Sequence, residues 1–225
     1  MKLARAALLA LSIVPAALAV TQDASACGMS VRLDPTPQRP TPVQEIARAE
    51  KALEGGQHLV AARAVLGTFP RIRGASAGQN PLETRALRVF ALAIVRSEGK
   101  VDEKKAGTGP KVEWTPAANL EWAVQSLREL DAKRPNDPTV QADLGEALSK
   151  LPHGQAEGLA ILSKLAQKDL MGSPHAYAAL AKMLSEQGDM AGAEAAVKRC
   201  EEMSKSPGVC RPRVPSAKPA VAAKV

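Results

Sequence analysis

Aromatic residues are almost missing from this chain: two Trp, one Tyr and two Phe are spread over 225 residues. With so few rings, and few β-branched residues in alternation, the sequence lacks the usual material of strands. Histidine is nearly as scarce. His58, His153 and His175 are the only three. None has a second histidine four residues on or a cysteine at zinc-ligand spacing, which excludes the common zinc motifs. Each reads as a surface or helix-end residue. The three cysteines, Cys27, Cys200 and Cys210, form no C-x-x-C pair, so neither dithiol redox catalysis nor haem attachment is indicated. No G-x-S-x-G elbow is present. The run "GTGPK" (residues 107–111) lacks the spacing of a phosphate loop and the Ser/Thr that follows its lysine, and reads as a flexible loop. The expectation is a protein with no catalytic motif, no metal and no cofactor.

What the chain does have is alanine. Hydrophobic residues make up 45% of it, and alanine, the best helix former, accounts for much of that, which points to closely packed helices. The first residues, "MKLARAALLALSIVPAALAV", have the layout of a secretory leader: Lys2 and Arg5, an apolar run, Pro15, then Ala17-Leu18-Ala19, with cleavage expected after Ala19. Pro15 breaks the run well short of the roughly 20 apolar residues that a membrane anchor needs. A second small-x-small site, "ASA" (residues 24–26), precedes Cys27. Cleavage there would place Cys27 first, as in a lipoprotein, but polar "TQD" stands where such a leader is still apolar.

Export would permit disulfides. Cys200 and Cys210 flank "SPGV" (residues 206–209), where a turn would fold one back on the other. The alternative is a small buried Cys200 with Cys210 as a free thiol. The net charge of +7 belongs to the ends. Lys2 and Arg5 lie in the leader, and Lys205, Arg211, Arg213, Lys218 and Lys224 in the tail, so the body is neutral and no nucleic-acid-binding face is indicated.

The boundaries follow from composition. Residues 1–19 read as leader. Residues 20–41 are a Pro-rich extended linker containing "DPTPQRPTP". Residues 42–205 hold the helical stretches, and 206–225 form a disordered basic tail. Within the helical part, stretches of helix alternate with Gly/Pro punctuation and fall into four pairs, one of them interrupted by a polar insert after Gly99. Short links inside the pairs predict antiparallel packing.

The last pair carries Leu180, Ala181, Leu184, Gly188, Asp189, Ala193, Val197 and Cys200; the third carries Leu144, Gly145, Leu148, Gly158, Leu162 and Leu165, about one unit earlier. This pattern resembles the tetratricopeptide repeat, a two-helix unit of about 34 residues. The resemblance is strong only in the last two pairs, the third has shifted spacing, and aliphatic residues replace the large aromatics. It implies an all-α, right-handed α-solenoid of about four hairpins. Gly188 is expected to end a helix in the left-handed region and Asp189 to cap the next. Ala193 should sit where two backbones meet, so that a bulkier residue there costs roughly 1–3 kcal/mol.

The resemblance further implies that the first helices of the pairs line a groove for peptides or extended segments. Arg85, Arg88 and Arg96 would supply basic groups, with Lys150 and Lys182 at groove-facing positions, favouring carboxylate-bearing ligands; the alternative is ordinary solvated helix charge. Trp122 is expected in the core, and Trp114 as a staple on a helix start or an exposed anchor. A less favoured alternative is a glycan-active enzyme on a helical-repeat scaffold, which needs a pair of carboxylates facing a cleft. Glu113 and Glu121 flank the insert, but nothing in the sequence singles them out. The functional expectation is an exported, non-catalytic scaffold, periplasmic or secreted, that binds another protein or peptide of the cell envelope. A second is an envelope-surface binder whose basic tail engages anionic polymers or lipids. Membrane contact would come only through that tail or a lipid on Cys27.

Overall fold

The computed structural model describes residues 39–101, 114–205 and 208–210. The leader, most of the linker with Cys27, the run at 107–111, Glu113 and the tail beyond Cys210 lie outside the described residues. Among the described residues all regular structure is helical: α1 Pro42–Glu54, α2 His58–Thr68, α3 Pro81–Arg96, α4 Pro116–Lys133, α5 Pro138–Leu148, α6 Gln155–Gln167, α7 Pro174–Glu186 and α8 Met190–Met203. Short 3-10 turns lie at Ile72–Gly74 and Pro152–Gly154. None of these helices is long and apolar enough to cross a membrane.

Proline opens five of the eight helices, where its missing N–H costs nothing and its fixed φ suits the first turn. Thr41, Asn80, Thr115, Asp137 and Asp189 each cap a helix by accepting from a first-turn amide. Gly188 has φ +85°, and Asp189 accepts from the Gly192 N–H at 2.9 Å. Only three residues therefore separate the end of α7 from the start of α8.

The helices associate most extensively as α1 with α2, α3 with α4, α5 with α6, and α7 with α8. The odd-numbered helices also touch in succession, α1 with α3, α3 with α5 and α5 with α7. The most deeply set is α3, buried without a break from Val89 to Val95. One apolar cluster draws on α1 to α5. A second runs from Ala142 of α5 through α6, α7 and α8 to Cys210. Cys200 and Cys210 are joined in a disulfide, fully shielded from solvent, that pins the segment after α8 to the last hairpin.

Small residues stand where backbones converge. A Cβ on Gly158 would meet the Gly145 carbonyl oxygen at 3.0 Å and Leu148 Cβ at 3.1 Å, so α5 and α6 cross there at close range. Ala193 is 6% exposed on α8. Gly99, with φ +76°, lies closer still: its Cβ would fall 2.2 Å from the Pro116 carbonyl oxygen. We therefore expect Gly99→Ala to lower stability by about 2–4 kcal/mol, adding left-handed strain to a backbone clash. Urea unfolding checks this, and an unchanged midpoint would refute the close approach of the α3 end to the α4 start.

Candidate functional site

Three arginines of α3 reach across to neighbouring hairpins. Arg85 makes two hydrogen bonds to Glu50 of α1. Arg88 donates to Asp143 of α5 at 2.5 Å. Arg96 donates through Nε and Nη2 to both oxygens of Glu146, also on α5, each at 2.9 Å. The Arg96–Glu146 pair is interior, with the side chains 9% and 4% exposed. Burial alone would raise Glu146, yet the Arg96 guanidinium holds it below the ordinary carboxylate value. For Asp143 burial outweighs Arg88 and pushes the carboxyl up to about 6.

The Arg96–Glu146 pair lies in the wall of a groove of about 1040 Å³. The turn before α2, the ends of α3 and α5, one face of α7 and residues 208–209 form that groove. His58, the first residue of α2, and His175, near the start of α7, meet across it with ring centroids 6.1 Å apart. The first hairpin thus reaches the fourth. Neither α2 nor α7 has a side-chain N-cap. Burial, and then the charge of Arg96, depress His175 to about 4 and lower His58 as well. His58 Nδ1 is sealed from water without a hydrogen-bond partner. Ala178 and Ala179 give the α7 wall little relief, while Leu59 and Val60 at the lip are 41% and 43% exposed.

The structure divides the four expected ligand-binding cations. Lys150 and Lys182 line the groove. Arg85 and Arg88 do not: they line a separate cavity of about 280 Å³ beside Glu50 and Arg134, and their ion pairs link hairpins. Their spacing on α3 looked like solvated charge because the carboxylates that answer them are 35 and 55 residues away. Lys182 keeps a loose pair with Glu186 at 3.7 Å.

Trp122 packs against the core as expected, edge-on to Phe90, whereas Trp114 takes a different role. Arg73 lies between them, its guanidinium carbon 3.9 Å from the Trp114 ring centre and 4.6 Å from that of Trp122, with Phe90 at 5.3 Å. Trp114 therefore stacks on a cation rather than stapling the start of α4. Glu121 is exposed on α4. Among the described residues no cluster of three or more His, Cys, Asp or Glu side chains could hold a metal ion. No protein-family model, no curated protein and no solved structure matches the chain.

Two expectations follow. Glu146→Ala strands Arg96 in the interior and should cost about 3–5 kcal/mol, whereas Arg96→Met with Glu146→Leu should recover most of that loss. Urea unfolding of the three proteins decides it, and a double variant as weak as the single one would contradict the assignment. The second concerns pH. His175 titrates lower in the folded chain, about 4, than in the unfolded one, near 6.5. The unfolded chain therefore binds more protons between these values, and the histidine costs stability as pH falls through that window. His175→Gln should gain on the parent by about 2 kcal/mol between pH 7 and pH 5. Asp143 titrates in both proteins, so the difference isolates the histidine. A pH-independent difference would disprove its depressed titration.

Proposed function

We propose that residues 42–205 form a tetratricopeptide-like, right-handed stack of four hairpins that acts as a non-catalytic scaffold, holding a peptide or protein segment in the groove. The carrying observation is the joint arrangement of helices and groove. The odd-numbered helices adjoin one another, and the ends of α3 and α5 with a face of α7 line one continuous depression. Its size suits a short extended segment, and its walls combine exposed apolar groups with polar ones, as ligand sites do. A preformed groove on packed helices also avoids the ordering cost that weakens flexible binders.

The disulfide supports the exported reading, because such bonds persist in oxidising compartments and small-thiol reductants remove them in the cytosol. Together with the leader-like residues 1–19, it supports a working site in the periplasm or outside the cell.

Photo-crosslinking in the producing cell tests the groove. p-Benzoylphenylalanine in place of Ala179, on the groove wall, should give discrete adducts with envelope proteins. The same group in place of Ala195, exposed on α8, should not. Equal labelling at both positions, or none at Ala179, would overturn the proposal.

A further inference from the structure

The groove's own carboxylates are all committed. Glu146 is held by Arg96, Glu186 pairs with Lys182, and Glu98 pairs with Lys100 at 2.9 Å. The lining carries four Lys and Arg side chains against these three acids, and Lys150 is the cation left over. Among the described residues, His58 and His175 therefore face no unpaired carboxylate. From α3 they face Arg96; from α5, Glu146 already bonded, and Lys150; from α7, Lys182 with Glu186. Glu54, at the end of α1, acts on Arg96 instead. Among the described residues, a proton placed on either ring meets cations and a partner ring, and the one anion that favours it, Glu146, is already held by Arg96.

A ligand would change this. We propose that the groove takes an extended peptide segment bearing an aspartate or glutamate side chain, whose carboxylate sits between His58, His175 and Lys150, and that its binding draws solvent protons onto the two imidazoles. The inference rests on the groove reading and deepens it by naming the guest and its regulation. Charge complementarity selects the guest: one uncommitted lysine and two imidazoles answer an acidic side chain, and flanking apolar residues find Leu59 and Val60 at the same lip. The coupling is reciprocal. An anion that stabilises the imidazolium forms must itself bind more tightly as pH falls. A peptide carboxylate, with an ordinary value near 4, stays ionised through the window in which this happens.

The test uses two pools of labelled hexapeptides, acetylated and amidated at their ends and randomised over apolar residues. The centre is Glu in one pool and Gln in the other. Both are titrated with the full chain at pH 7.5 and pH 5.5 by fluorescence anisotropy. The Glu pool should bind more tightly, and its affinity should rise roughly ten-fold at the lower pH, while the Gln pool stays flat. The His58→Gln, His175→Gln double variant should lose the pH dependence. Lys150→Gln should weaken the Glu pool at both pH values, and it serves alone if the double variant fails to fold. Equal affinity for the two pools, or no gain on acidification, overturns this inference while leaving the groove as a peptide site. Failure of both pools to bind overturns the two together.

Discussion

The contact between Arg96 of α3 and Glu146 of α5 fixes how the second and third hairpins sit on each other. Elsewhere the inter-helix surfaces are built largely of alanine and leucine. A surface of small and flexible apolar groups tolerates a slip of one turn at modest packing cost. A guanidinium that is 9% exposed does not, because a displaced partner leaves a charge in the interior. Two further pairs, Arg88 with Asp143 and Arg85 with Glu50, extend the same clasp along α3 to the third and first hairpins. Register here is thus an electrostatic matter laid over an apolar one. The buried pair adds little net stability by itself, since removing two charges from water offsets most of their attraction. Its effect is to make neighbouring registers worse.

Much of the helical layout was legible because its signals are local. Pro42, Pro81, Pro116, Pro138 and Pro174 mark helix starts, and the side chains of Thr41, Asn80, Thr115 and Asp137 cap the first four of these. Gly188 and Asp189 announce a turn through their own backbone and side-chain chemistry, with no need of distant neighbours. The crossing of α5 and α6 was readable in part. Gly145 and Gly158 are unusual inside helices, and close approach is the simplest reason for accepting their cost.

The candidate site was legible only in fragments. Lys150 and Lys182 follow from repeat positions, but His58 and His175 lie more than a hundred residues apart, and no local rule links them. Their meeting depends on how α2 and α7 are placed by the helices between them, which the residues at each contact set jointly. Arg85 and Arg88 failed for the opposite reason. Periodicity identifies a charged face, yet whether that face meets water or a carboxylate is decided by the next hairpin. Arg73 gave no signal at all, because the rings around it come from α3, from α4 and from the residue preceding the Thr115 cap.

Arg73 also bears on why the hairpins look so unlike one another in sequence. Each of the last three hairpins is closed by a different device. In the second, three of the chain's five Phe, Tyr and Trp rings gather on one guanidinium, and Asn119 donates to the Gly99 carbonyl oxygen across the base of the insert. In the third, two glycines let the backbones touch. In the fourth, a small Ala193 is buried on α8, and a disulfide ties the following segment back onto that helix. A cation held by rings, a missing side chain and a covalent bond have nothing in common as residues. Each nonetheless holds neighbouring stretches of the chain together. Hairpins closed so differently share apolar positions along their helices but not the residues at their contacts, which makes the likeness among them faint in sequence.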